Sequence, residues 1–318
     1  MERIGRIPLC FSPSDIPRKS TADPWYPLPH ALDIARDIDE HASTLREGID
    51  RFFEIRSAEL KCDLAREKHL ITRRSVSSVN ECIADASLML AKMGKPFPSR
   101  DRCHIDIGCG LGFGLAASSL SYFGDNVVGL DLSPHYLVIA DKHLREHGIS
   151  SPRLYCADIC DGWPLPLNRY DVAFISMEGV LEHIKNIPGF FSNILQIRSF
   201  PFALYLTVPY RWTIKPESHF NLRFVSWLPR RWQDAHIARR LGVPAIDHVE
   251  FYSQRSLRTT LEKYFVPKAI HIEKNSRHPA EAHYLRCVVF IEDLDSFDRE
   301  ALESATATKD TPTRGVAT

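Results

Sequence analysis

The stretch "HIDIGCGLGFG", residues 104–114, decides how the rest of the chain is read. It puts four glycines into seven positions, directly behind a short apolar run broken by one acid. Glycine weakens regular structure, so such a cluster marks a place where backbone must come close to something. Between a strand and a helix, the amides of such a loop and the helix N-terminus can receive polar or anionic ligand groups. Gly108, Gly110 and Gly112 are the candidates, and the bland alternative is a tight turn with no ligand. The dinucleotide fingerprint GxGxxG is not met: counted from Gly108, Phe113 stands where the last glycine belongs.

Outward from the loop, short apolar runs alternate with helical ones. "CHIDIG" is the first expected strand and "GLAASSLSY" the helix after it. "NVVGLDLS", "PRLYCADI", "YDVAFISM" and "FALYLTVP" follow as strands two to five, with "HYLVIADKHLREHG" as the helix after strand two. "SQRSLRTTLEKYF" is a later helix, and "KAIHIEK" and "AHYLRCVVFIE" are two last strands able to pair as a hairpin. This alternation predicts an open, mostly parallel α/β sheet with right-handed crossovers. Residues 209–247, rich in Trp, Arg and Pro, interrupt the rhythm as an insertion after strand five.

Ahead of the sheet, Ile34, Ile38, Leu45, Ile49, Phe52 and Phe53 fall on one helical stripe. Further helices are expected over Ser57–Leu70 and Val79–Met93. The expected organisation is an irregular arm over 1–29, a helical segment over 30–99, the α/β domain over 100–298 and a disordered tail over 299–318.

Ligands of open α/β sheets sit at the carboxyl ends of the strands. Asp131, nineteen residues after Gly112, ends the second strand. A carboxylate there can accept from both hydroxyls of a ribose. Asp158 ends the third strand, placed to accept from an adenine amino group beside the apolar Ile159.

Composition narrows the setting. Of 318 residues, 44% are hydrophobic and 25% charged, and Lys plus Arg equals Asp plus Glu at 40 each. These are the proportions of an ordinary globular chain, and the overall balance argues neither for nor against nucleic acid. The eight cysteines form no CxxC pair, which reads as free thiols in a reducing compartment. No signal peptide is evident, and "FPFALYLTVPY" is far too short for a membrane span, so a cytoplasmic protein is expected.

With those residues in view, the sequence resembles a class I S-adenosylmethionine-dependent methyltransferase. "IDIGCGLGFG" resembles that family's first motif and "GLDLS" its acidic second motif. "ADICDGWPLP" resembles the third-strand segment, and "YDVAFISMEGVLEHIKN" the fourth strand with its Glu-His pair. "HVEFYSQRSLRTTLEKYF" resembles the helix after strand five in the subgroup of quinone and other small-molecule methyltransferases. The resemblance spans about residues 100–292. It implies a seven-stranded Rossmann-like sheet with an antiparallel last strand and S-adenosyl-L-methionine as cofactor. It assigns donor binding to Asp106, Gly108, Cys109, Gly110 and Gly112 in the loop, and to Asp131 with Leu132 at the ribose. Asp158 with Ile159 would take the adenine, and Ser176, Met177 and Glu178 would border the sulfonium and the acceptor.

Methyl transfer from a sulfonium needs alignment first, and a base only when the acceptor must lose a proton. His183 is the expected base, since imidazole titrates near neutrality, with Glu182 orienting it or the donor. Some relatives hold a divalent metal with Glu, two residues, Glu, His. Here three residues separate Glu178 from Glu182-His183, and no metal is expected. In the insertion, Tyr210, Trp212, Phe220, Phe224, Trp227 and Trp232 could wall an acceptor, with their own small core as the alternative. Arg211, Arg223, Arg230, Arg231, Arg239 and Arg240 could meet an anionic group, or form a solvated face. Glu217 and His219 are secondary base candidates.

The expected function is methyl transfer to a small-molecule, lipid-linked or glycan acceptor at oxygen. RNA or protein methylation is the alternative enzyme, with nucleic acid not the expected partner. A non-catalytic adenosyl-cofactor-binding module and a nicotinamide dehydrogenase are the remaining readings. The oligomeric state stays open.

Overall fold

The computed structural model describes residues 3–10, 28–60, 68, 81–163, 169–197, 199–216, 222–241, 249–276 and 282–298. Seven strands make the central sheet: β1 (Cys103–Ile107), β2 (Val127–Asp131), β3 (Arg153–Cys156), β4 (Val172–Glu178), β5 (Phe202–Pro209), β6 (Ile270–Lys274) and β7 (Tyr284–Ile291). Their order is β3-β2-β1-β4-β5-β7-β6. β1 to β5 run parallel, and β7 lies antiparallel between β5 and β6. The order reverses at β1, which places the glycine loop at the switch point between β1 and β4, where open sheets bind ligands. The hairpin expected from the last two strands is present, in register from Ile270 opposite Val289 to Lys274 opposite Leu285.

Both faces of the sheet are covered, so its strands read as continuous apolar runs rather than alternating ones. β5 shows the division: Phe202, Leu204, Leu206 and Val208 join one core, Ala203 and Tyr205 the other. Period two survives as a choice of layer instead of a choice between core and water.

The first layer holds the N-terminal helices α1 (Leu28–His41), α2 (Leu45–Leu60) and α3 (Glu81–Lys92), with α4 (Phe113–Ser118) and α5 (Pro134–Glu146). The opposite layer holds α6 (Ile187–Ile194) and, after the insertion's helix α7 (Arg230–Leu241), α8 (Gln254–Leu261). The single stripe expected over 34–53 is two helices. The break is a capping box: Thr44 Oγ1 accepts from the Glu47 amide at 3.1 Å, while the Glu47 carboxylate accepts from the amides of Ser43 and Thr44. Ser57–Leu60 continues α2, and the remainder of the helix expected to Leu70 lies outside the described residues, Lys68 excepted. α1 and α2 pack on α5, with Phe52 stacked on His135 at 5.1 Å.

Within the expected arm, residues 3–10 carry a hairpin pairing Arg3 with Pro8 and Ile4 with Ile7. Ile4, Ile7 and Leu9 are buried, and Leu9 bridges to Cys156 at the β3 edge of the sheet. The rest of the arm and the expected tail lie outside the described residues. Among the described residues, no helix is long and apolar enough to cross a membrane.

Candidate active site

β1 ends in the glycine loop, and three of its glycines have positive φ: Gly108 at 73°, Gly110 at 52° and Gly112 at 77°. Two serve different ends. A Cβ on Gly108 would sit 2.2 Å from Val180 Cγ2, so this glycine lets the loop after β4 close over the bend. A Cβ on Gly110 would meet no atom within 4 Å, so here bare backbone faces open space. The loop amides are mostly committed within the protein. Those of Gly108 and Cys109 donate to Leu130 O, at 2.8 and 3.0 Å, and that of Gly112 donates to Cys109 O. These glycines therefore supply shape and room, where amide donation to a ligand was expected. The Cys109 side chain turns into the core.

Asp131 closes the other side of the bend. One carboxylate oxygen accepts from the Gly110 amide at 2.8 Å, and the other from the Ser133 amide at 2.8 Å. The side chain is aimed at the loop, and each oxygen keeps a further lone pair. Burial raises its pKa, against the pull of the amides of Ser133 and Gly110.

Asp106 lies beneath the loop, 7% exposed. Its Oδ1 accepts from Ser176 Oγ, across the β1–β4 ladder, at 2.6 Å. Burial pushes its pKa up to about 7, with Glu178 and Asp131 adding to the rise and the Ser176 hydroxyl opposing it. The site thus concentrates three acids around one bend, an excess of negative charge that suits a cationic ligand. S-adenosylmethionine carries an ammonium and a sulfonium, and the open face at Gly110 offers the room, so the residues present fit this group.

Asp158 Oδ1 accepts from the Cys160 amide at 2.8 Å, so the acid expected at the adenine caps its own turn. Ile159 is buried beside it, its carbonyl bound by Asn193 Nδ2 at 2.6 Å. Leu132 is half-buried. Met177 is wholly buried in the opposite core, whereas Glu178 is exposed. A short 3-10 turn, Leu181–His183, follows β4. The Glu182 side chain is wholly buried there, under Gly179, where a Cβ would lie 3.6 Å from its Oε1. Its carbonyl accepts from the Glu250 amide at 2.9 Å. His183 is half-buried.

Three contributors escaped the sequence reading. Val180 packs over Gly108, Cys82 arrives from α3, and His104 joins Ser176 from below. Cys82 is 8% exposed, and its thiol is pushed well up by burial first and then by Glu178 and Asp106. Nothing in the spacing links residue 82 to the loop. His104, by contrast, sits two residues before Asp106 and therefore on the same face of the strand.

In the insertion, Trp227 stacks edge-on against Trp212 and Phe224, at 5.9 and 5.4 Å, with all three rings about half exposed. Trp227 Nε1 donates to Thr213 O at 2.8 Å. Tyr210 is buried, with Lys274 over its ring, and Trp232 is exposed on α7. Arg230 donates to Val249 O, while Arg231, Arg239 and Arg240 are exposed. Glu217, His219 and Phe220 lie outside the described residues.

Residues 105–198 match the methyltransferase domain family. The ubiquinone biosynthesis O-methyltransferase of Methylobacterium nodulans is 33% identical over 96 residues, covering 30% of this chain and 36% of that protein. The chain therefore matches little more than a third of the length of this curated relative. A SAM-dependent methyltransferase from Aquifex aeolicus superposes with a TM-score of 0.42 at 14% identity, over 69% of this chain and all of that one. Phosphoethanolamine N-methyltransferase 2 of Haemonchus contortus, in complex with S-adenosyl-L-methionine, gives 0.42 at 14% identity over 66% and 52%. The sequence match begins inside β1 and runs through α6, so the glycine loop, Asp131 and the turn at Glu182-His183 all fall within the stretch that matches the methyltransferase domain family.

Proposed function

We propose that this chain transfers a methyl group from S-adenosylmethionine to a small-molecule, lipid-linked or glycan acceptor, at an oxygen atom. The observation that carries the reading is Asp131 aimed at an open, side-chain-free bend that Asp106 and Glu178 also charge. When bound, the donor supplies a methyl group already activated on sulfur. Asp131 accepts from the ribose hydroxyls, Asp106 faces the ammonium end, and Asp158 with Ile159 borders the adenine. His183 takes the proton of an acceptor hydroxyl, and the buried Glu182 holds the turn that presents it. The aromatic and arginine side chains of the insertion form a lid that wall in the acceptor. Alignment of this kind lowers a barrier by about 7 kcal/mol or more when the partners are well oriented. Oxygen as the methylated atom draws weak support from the O-methyltransferase relative.

The test is transfer of labelled methyl from S-adenosylmethionine into separated small-molecule, lipid, RNA and protein fractions. Label in small molecules or lipid-linked glycans supports the reading. Label confined to RNA or protein favours macromolecule methylation, to which the exposed Arg231, Arg239 and Arg240 lend weight. Donor binding without transfer in any fraction would leave a non-catalytic module. His183→Ala should lower turnover about 100-fold or more while leaving the Kd for S-adenosylhomocysteine within about threefold. Equal loss of both would make the histidine a donor or structural residue.

A further inference from the structure

Below Asp106 runs a buried polar chain that the donor-binding residues do not explain. His104, 1% exposed, is wedged between the rings of Phe123 and Phe174, at 5.3 and 5.0 Å. Its Nδ1 lies 2.6 Å from Ser118 Oγ on α4, and its Nε2 lies 2.7 Å from Ser176 Oγ on β4. Ser176 Oγ lies 2.6 Å from Asp106 Oδ1. A cavity of about 10 Å³, lined by His104, Ser118, Ser176, Cys82 and Glu178 among others, borders the chain.

A hydroxyl carries one proton, and a neutral imidazole has one donor and one acceptor nitrogen. The chain can therefore be ordered in two ways. With Asp106 as carboxylate, Ser176 donates to Asp106, His104 Nε2–H donates to Ser176, and Ser118 donates to Nδ1. With Asp106 protonated on Oδ1, the oxygen that meets Ser176, its own O–H donates to Ser176, Ser176 donates to Nε2, and Nδ1–H donates to Ser118. The first order holds one proton fewer than the second, and the two require opposite tautomers of His104. Burial depresses His104 to about 3, which keeps the ring neutral and able to serve either order.

We propose that His104 is a positioning residue for the donor's amino-acid end: binding of the ammonium selects the carboxylate order, releasing one proton to solvent and moving the imidazole proton from Nδ1 to Nε2. The inference rests on the donor reading above. The groups facing Asp106 are Asp131 from β2, Glu178 from β4, Cys82 from α3 and Cys109 from the loop, while α4 presents Gly114 and Ser118. Two of those neighbours are acids, so a cation is the ligand that tips Asp106 toward its charged form.

Wild-type protein allows the test without any variant. Calorimetric titration with S-adenosylhomocysteine between pH 6 and 8, in buffers of different ionisation enthalpy, should show proton release that grows as pH falls, since burial raises the Asp106 carboxyl. Nitrogen-15 spectra of the His104 ring should show Nδ1–H as the main form in the free protein at pH 6 and Nε2–H in the complex. A heat independent of buffer, or one tautomer throughout, overturns the proposal while leaving the donor reading intact. Absence of S-adenosylhomocysteine binding overturns both. His104→Leu should weaken S-adenosylhomocysteine about tenfold and leave 5′-methylthioadenosine, which lacks the amino-acid end, within about twofold. Parallel loss of both ligands would mark a merely structural histidine.

Discussion

The residues around the bend differ in what their charge costs and what it does. Asp106 ionises near pH 7 in the fold, above the usual aspartate value of 3.8. A pKa raised by folding stabilises the protein fully below the unfolded value, and that contribution is lost as pH rises through the folded one. Between about pH 4 and 7 the ligand-free protein should lose the Asp106 contribution, and Asp106→Asn should remove that dependence. Thermal melts at pH 8 should put the variant at least about 2 °C above wild type, with the gap closing toward pH 5. A constant gap across that range would refute the assignment. Asp131, also raised by burial, is satisfied by two backbone amides and aimed at the glycine loop. Asp131→Ala should weaken S-adenosylhomocysteine about 10- to 100-fold, the worth of charge-assisted hydrogen bonds, with an unchanged circular dichroism spectrum. Unaltered affinity would place the ribose elsewhere.

At the scale of elements, the glycine loop joins β1 to α4 and makes separate demands on its residues. Alanine at Gly108 meets both an unfavourable left-handed backbone and a collision with Val180. Alanine at Gly110 pays the backbone strain of about 1–2 kcal/mol but enters open space. Gly108→Ala should therefore lower the unfolding free energy more than Gly110→Ala. Gly110→Ala should stay folded and lose donor affinity, read by urea titration alongside calorimetry. If Gly110→Ala binds like wild type, the open face is not the ligand's. The strand elements were legible because each carries a compact apolar run bounded by turn residues. The helix break at 42–44 was not, because the stripe of apolar residues runs through it. The Thr44–Glu47 capping box that makes it lies in the polar positions between.

At the scale of the whole molecule, the N-terminal region is part of the core rather than an appendage. α1 and α2 pack on α5, α3 brings Cys82 beside Glu178, and the hairpin at 3–10 reaches the β3 edge, where the Cys10 amide donates to Cys156 O at 2.9 Å. Leu9 is 1% exposed in that position. Leu9→Ala should cost about 2–5 kcal/mol of unfolding free energy, as a buried large-to-small change does. A loss under 1 kcal/mol, within the range of surface substitutions, would mean that the hairpin is not packed in solution.

The amino-acid sequence by itself determined the sheet, the position of the bend and the identity of its acids. Strand–helix alternation and a glycine cluster are local signals, carried within a dozen residues of one another. Asp131 belonged with them because a carboxylate at the end of the second strand must face the same loop as the end of the first. The tertiary structure decided which side chains look into that site. Met177 turns to the far core and Glu182 goes under Gly179, because a buried strand and a tight turn assign faces by packing on both sides. It also brought Cys82 from α3 and joined His104 to Ser176, which lie 72 positions apart and meet only when β1 pairs with β4. Hydrogen bonds between distant strands depend on register, and register is set by the whole sheet closing at once.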